Sequence, residues 1–203
     1  MTAAAFYFDL ETSGLNYYHN EIIEIGIVTQ DCKKHLSILV KPSKPIEHKI
    51  TEITGITNKL LDDEGVDIKE AIKQFHAFIQ QNSRPRDKIW FIGHNVLGFD
   101  KLFYESTLHR NKIAPYPTPI HWLDTLNWSK LLLPQMYSYK LITLCKYFRL
   151  KDTQTHRALG DCSLVALLVP TLIKQLFAKY PETKSNTSKH HLFETINTLL
   201  LVW

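Results

Sequence analysis

The sequence predicts an α/β fold: a mixed sheet of three antiparallel strands followed by parallel strands, flanked by helices. Three observations predict it. Three strand-length runs joined by short connections open the chain, a continuous apolar run (KIWFIG, 88–93) has the signature of a strand buried on both faces, and helical patterns alternate with strands from residue 67 onward.

Residues 4–10 form a short apolar run that meets an acid, Asp9. After the turn residues Thr12, Ser13, Gly14 and Asn16, residues 22–29 are β-branched and bounded by polar residues. Residues 34–40 make a third run, stopped by Pro42 and Pro45, and the three together read as an antiparallel meander. Residues 67–80 place Ile68, Ile72, Phe75 and Ile79 on one helical face. After the buried strand, 99–109 reads as a helix, 115–119 (PYPTP) as a stiff connector and 120–123 as a short strand. Helices are expected at 124–132, 141–148 and 158–174, the last interrupted or bent near Pro170.

The expected organisation is one domain over 1–180, then a polar linker (KSNTSK, 184–189) and a C-terminal amphipathic helix within 181–203. There Leu192, Ile196, Leu199 and Trp203 share one face, to pack on the main core or to dock a protein partner. A length of 203 residues, 44% apolar and 22% charged, suits a domain with a sizeable core and excludes collagen, coiled-coil and largely disordered classes. No stretch approaches about 20 apolar residues, so no membrane span is expected. The N-terminus lacks a basic region and reads as no signal peptide, making a cytoplasmic or nuclear, non-secreted protein the expectation. Cys32, Cys145 and Cys162 show no CxxC spacing and read as reduced thiols.

The net charge of +4 says little, but its distribution says more. Residues 125–160 carry Lys130, Lys140, Lys146, Arg149, Lys151 and Arg157 against Asp152 alone, while 61–70 is strongly acidic. Such a field suits a surface that meets phosphate, and equally suits solvated helix faces.

The chemistry concentrates in acids. Asp9 and Glu11, two apart on an extended chain, share one face. Asp100 ends Gly93-His-Asn-Val-Leu-Gly-Phe-Asp100, at a helix start, and Asp161 ends His156-Arg-Ala-Leu-Gly-Asp161, at or before the last helix. Strand ends and helix starts of an α/β sheet converge on one edge. Carboxylates gathered there repel one another unless cations compensate, and an all-oxygen set suits Mg²⁺ or Mn²⁺ better than zinc. A pair of such cations serves in-line phosphoryl displacement, and a histidine, which ordinarily titrates near neutrality, serves as general base. Neither a GxxxxGK phosphate loop nor a GxSxG nucleophile turn occurs.

Three segments, Phe8-Asp-Leu-Glu-Thr-Ser-Gly-Leu15, His94-Asn-Val-Leu-Gly-Phe-Asp100 and His156-Arg-Ala-Leu-Gly-Asp161, resemble in order the three motifs of the DEDDh group of DnaQ-like 3′–5′ exonucleases. Thr51-Glu-Ile-Thr-Gly-Ile56 resembles the turn these proteins carry after the third strand. Three residues between Asn95 and Phe99, where many members have two, resemble the three-prime repair exonuclease branch. The resemblance spans about residues 5–175 and implies a ribonuclease-H-like fold and release of nucleoside 5′-monophosphates from a 3′ end. It implies two Mg²⁺ (or Mn²⁺) held by Asp9, Glu11, Asp100 and Asp161, with Asp9 bridging, and His156 as the base. It further implies a wedge at Leu15, an aromatic beside the terminal base at Phe99, and 3′-hydroxyl contacts from the backbone of Thr12 and Ser13.

The partner expected on this reading is a single-stranded nucleic-acid 3′ end, DNA ahead of RNA, with an accessory role in a polymerase or repair complex as the alternative. His94 and Asn95 read as a buried histidine and a helix-capping asparagine, or as substrate contacts. Arg157 meets a phosphate or is a solvated neighbour of the base. Trp122 and Trp128 read as core.

Overall fold

The computed structural model describes residues 2–151 and 153–179. The predicted C-terminal helix, the linker before it and the domain boundary at 180 lie outside the described residues. Strands β1 (Ala3–Thr12), β2 (Ile22–Thr29), β3 (His35–Leu39), β4 (Lys88–Gly93) and β5 (Ile120–Asp124) form one sheet in the order β3-β2-β1-β4-β5. The first three are antiparallel neighbours; β4 runs parallel to β1, and β5 parallel to β4. This is the predicted mixed sheet.

Helices α3 (Ile68–Gln81) and α4 (Asp100–Asn111) cover one face, and α5 (Thr125–Leu132), α6 (Leu141–Tyr147) and α7 (Ala158–Lys179) cover the other. Being covered on both sides, β1 is apolar at successive positions from Ala3 to Phe8. Its residues still sort by parity. Ala4, Phe6, Phe8 and Leu10 join the core of α3 and α4, where Phe8 stacks on Phe91. Ala3, Ala5 and Tyr7 join the core of α5–α7. Continued to the strand end, that alternation sends Asp9 and Glu11 to the α7 side. Trp128 is buried there, and Trp122 packs against Phe8 and Phe91 on the opposite face, so both are core, as expected.

Two seven-residue helices, α1 (His48–Thr54) and α2 (Asn58–Glu64), were not expected. They pack Ile46, Ile56 and Leu61 around Ile23, and α1 ends on Gly55 in the left-handed region (φ 72°). The turn read at 51–56 is therefore a helix C-terminus, a position where a residue without a β-carbon is favoured.

Two expectations about α7 are corrected. Pro170 does not interrupt it; the helix is continuous over 22 residues. It is also long and apolar enough, by length and composition alone, to cross a membrane, with mean hydropathy 1.5 over its best window. Here half of that window is buried in the fold, and the helix lies on β1 and β2.

Helix α7 approaches β2 so closely that only glycine fits between them. A β-carbon built on Gly26 would stand 2.6 Å from Ala158 Cβ and 2.7 Å from the Ala158 carbonyl carbon. Cys162 Sγ lies 3.6 Å from the Gly26 carbonyl oxygen. Gly26→Ala is expected to push the start of α7 off the sheet and to cost about 2 kcal/mol or more. A urea titration checks this; an unchanged midpoint would show that the contact yields freely.

Candidate active site

Asp161 occupies the first turn of α7 and is buried, and helix and strand geometry bring it to Asp9 and Glu11. The ligand oxygens of these three carboxylates all lie within 4.8 Å of one another. Asp100 comes from the other direction, as the first residue of α4. It is buried, and its Oδ1 accepts the N–H of Leu10 at 2.9 Å, so it reaches the strand between Asp9 and Glu11. A register shift of β1 against β2 between Glu11 and Thr12 turns the chain away immediately afterwards. All four acids expected from sequence thus meet at one sheet edge.

Their electrostatics are those of a crowded anionic site. Burial, then the charges of Asp100, Asp161, Glu11 and Glu24, hold the Asp9 carboxyl well above its ordinary range. Burial and the charge of Asp161 push Glu11 up to about 8. Burial pushes Asp100 to about 7 against the hydrogen bond from Leu10. Asp161 is raised by burial, in part offset by Gln154 and by the nearby His156. Asp161 Oδ2 accepts from Gln154 Nε2 at 2.8 Å, whereas its buried Oδ1 has no donor. A buried carboxylate oxygen with no protein donor, facing two further carboxylates, fits a hard divalent cation.

His156 stands exposed in the loop before α7, at φ 46°, a left-handed conformation unusual for histidine. Arg157 fits neither sequence alternative. Its Nε and Nη2 donate to Glu24 at 3.0 and 2.7 Å, and the Ala158 N–H and Ser37 Oγ donate to the same carboxylate at 3.1 and 2.8 Å. The substrate-binding reading of Arg157 therefore gives way to an ion pair that seats the start of α7. Burial would raise Glu24, but these bonds together outweigh it and leave its carboxyl below the usual range.

Sequence reasoning missed Glu24. It pairs directly with Glu11 across β1 and β2 and is 1% exposed. The available signal was an acid inside an otherwise apolar strand (IIEIGIVT). Asp124 was also missed. It caps α5 through the Leu126 N–H at 2.9 Å and accepts from Asn95 N at 2.9 Å and Leu97 N at 3.1 Å, fixing the loop that leads to Asp100.

Among the remaining candidates, Leu15 projects 86% exposed from the β1–β2 connection. Thr12 is buried and its hydroxyl donates to the Gly14 carbonyl at 2.7 Å. The Ser13 N–H is committed to the Glu21 carbonyl at 2.8 Å, and its Oγ accepts from Glu21 N, so Ser13 closes the turn. Asn95 does not cap the helix, whose N-cap is Phe99; it sits at φ 66°, with its carbonyl accepting from Gly98 N and Phe99 N. Phe99 is half-buried beside Phe103, with ring centroids 4.8 Å apart. His94 has the structural role expected of it, bonded to Thr125 Oγ1 at 3.0 Å and the Tyr139 carbonyl at 2.8 Å. All three cysteines are free.

Raised carboxyl values mean that the folded protein binds more protons than the unfolded chain once pH exceeds about 4. Stability conferred by these groups is present at low pH and is lost as pH rises through the values near 7 and 8. In EDTA the melting temperature is expected to fall between pH 5 and 8, and Asp9→Asn is expected to flatten that fall. Added Mg²⁺ is expected to restore stability most strongly at the upper end. A pH-independent melting temperature in EDTA would argue against mutual repulsion of the acids.

The RNase_T exonuclease family profile matches residues 6–169. Among curated relatives, the PolC-type DNA polymerase III of Bacillus subtilis is 30% identical over 178 residues, covering 85% of this chain and 12% of that protein. Its counterpart from Caldanaerobacter subterraneus subsp. tengcongensis is 32% identical over 172 residues, covering 83% and 11%. The chain therefore spans about an eighth of these relatives. Among solved structures, E. coli exonuclease I in complex with a dA16 oligonucleotide superposes with a TM-score of 0.71 at 18% identity, covering 88% of this chain and 43% of that one. Exonuclease X in complex with 5′ overhanging duplex DNA superposes at 0.61 and 24% identity, covering 88% and 94%. These likenesses carry the fold, and the family match carries the assignment: the chain belongs to the RNase_T exonuclease family.

Proposed function

We propose that the chain hydrolyses the terminal phosphodiester bond at the 3′ end of single-stranded or frayed DNA and releases nucleoside 5′-monophosphates. The observation that carries this reading is the convergence of Asp9, Glu11 and Asp161, with an orphaned Asp161 oxygen, next to an exposed histidine. Members of the family use divalent cations. Two Mg²⁺ or Mn²⁺ would be held by Asp9, Glu11 and Asp161 on one side and by Asp9 and Asp100 on the other. Bound there, they would polarise the attacking water and the phosphoryl oxygens and offset charge on the departing 3′-oxygen.

The chain's own residues do the rest. His156 lies outside the carboxylate cluster, where its imidazole is free to take the proton of the attacking water. The Glu24–Arg157 pair holds the chain one residue beyond that imidazole, so the base moves on a short tether. Leu15, exposed in the connection that follows β1, would offer an apolar face to the terminal base, and Phe99 an aromatic one; such stacking accepts any base. The backbone at Thr12 would contact the terminal sugar.

DNA is favoured over RNA because the polymerase relatives and the DNA complexes of the neighbours support it. The polymerase relatives also support a role as the exonuclease part of a replication or repair assembly.

Incubation of 5′-labelled DNA and RNA strands of matched sequence with Mg²⁺ is expected to give a shortening ladder that EDTA abolishes, faster on DNA. His156→Ala is expected to lower kcat by about 10²–10⁴. Asp161→Asn is expected to abolish cleavage. Full activity of His156→Ala would remove the general-base assignment, and absence of any ladder would favour a binding role.

A further inference from the structure

Between Thr125 and Lys151 the chain carries five cations and no acid. Elsewhere among the described residues cations are answered in part: Lys34, Lys44, Arg84 and Lys112 form no ion pair, but they are scattered along a chain that also carries acids. Lys33, Lys41, Lys59, Lys73 and Lys101 each meet a carboxylate, and Arg157 meets Glu24. Lys130, Lys140, Lys146, Arg149 and Lys151 are all exposed, and none forms an ion pair among the described residues. A solvated helix face usually mixes signs, whereas a face of one sign repels itself until an anion arrives.

The segment is tied to the acids at both ends. Lys140 follows Tyr139, whose carbonyl bonds His94 at 2.8 Å, in the loop that leads to Asp100. Lys151 precedes Gln154, which bonds Asp161 at 2.8 Å. Between them α6 buries Leu141, Leu144 and Cys145 and turns Lys146 and Tyr147 outward, Tyr147 being 59% exposed. Its seven residues span about 10 Å, or roughly three nucleotides of a stacked strand. An exposed aromatic among unanswered cations fits a chain that offers phosphates and base faces together, which an acidic polypeptide does not.

We propose that α6 and its flanking loops carry the single strand on the 5′ side of the scissile bond, with its phosphates on Lys140, Lys146, Arg149 and Lys151. This rests on the reading of the site as a 3′-end nuclease and adds the path by which the rest of the strand leaves it.

The test uses the full chain and a fluorescein-labelled 20-nucleotide single strand, with Ca²⁺ replacing Mg²⁺ for binding. The variant changes Lys140, Lys146, Arg149 and Lys151 to Gln. Its Kd is expected to rise at least tenfold, and the slope of log K against log salt to lessen by about 3, near 0.7 for each lost contact. Under Mg²⁺, KM for the 20-mer is expected to rise toward that for a dinucleotide, closing the gap the wild type shows. The single changes Lys146→Gln and Lys151→Gln are expected each to lessen the slope by about 0.7, which keeps the test intact should the quadruple variant misfold. Unchanged Kd and slope would overturn the surface while leaving the nuclease reading standing. Patch-dependent binding without any cleavage by the wild type would uphold the surface and overturn the nuclease reading. Competition by a 20-residue polyglutamate as strong as that by unlabelled strand would overturn the nucleic-acid assignment in favour of an acidic protein.

Discussion

The site exists because the first turn of α7 lies directly on β2. Asp161 belongs to a helix, Asp9 and Glu11 to a strand, and their oxygens converge only where those two elements nearly touch. Two features set that distance. Gly26 removes the side chain that would hold the helix away, and Glu24 draws it down through Arg157 and the Ala158 N–H. The second feature also settles an electrostatic conflict. Glu24 stands directly across from Glu11, and two carboxylates in that register repel. Arg157 neutralises the deeper one, leaving Glu11 as the acid whose charge remains to be offset.

A division of labour follows between satisfied and unsatisfied acids. Asp124 and Glu24 have their oxygens filled by backbone N–H groups, a guanidinium and a hydroxyl, and they shape the loops on either side. Asp9, Glu11 and Asp161 crowd together with too few donors, and their raised values record the strain. Buried polar groups are otherwise almost always paired. Of the buried side-chain atoms without a partner among the described residues, Asp161 Oδ1 is the one carboxylate oxygen, and its position against two further carboxylates distinguishes the site from the scaffold acids, even though both are built from the same residue types.

Much of this was legible in the sequence. The strand β1 announced itself because a run covered on both faces must be apolar throughout, and the parity of Asp9 and Glu11 followed from strand geometry alone. Asp100 and Asp161 were legible at helix starts, and Asp9 and Glu11 as a pair two apart toward the end of an apolar strand. Helices α1 and α2 were not, since seven residues show no period and their stability comes from Ile23 beneath them. Glu24 was hidden for a different reason: its partner lies 133 residues away, and nothing local separates a buried strand acid from an exposed one. The same blindness placed Arg157 in solvent or on a phosphate, and put a capping side chain at Asn95 where the backbone does the work.

The alternation along β1 has a consequence for how such a chain can vary. Inserting or deleting one residue between Ala3 and Phe8 would rotate the strand's end by half a turn and carry Asp9 and Glu11 to the α4 side, away from Asp161. Substitution there is tolerable within the limits of packing; a change of length is not. Descendants of this sequence are therefore free to grow or shrink at its connections, such as that between β1 and β2 or the proline-rich segment before β5, while the count of residues leading to the first acid stays fixed.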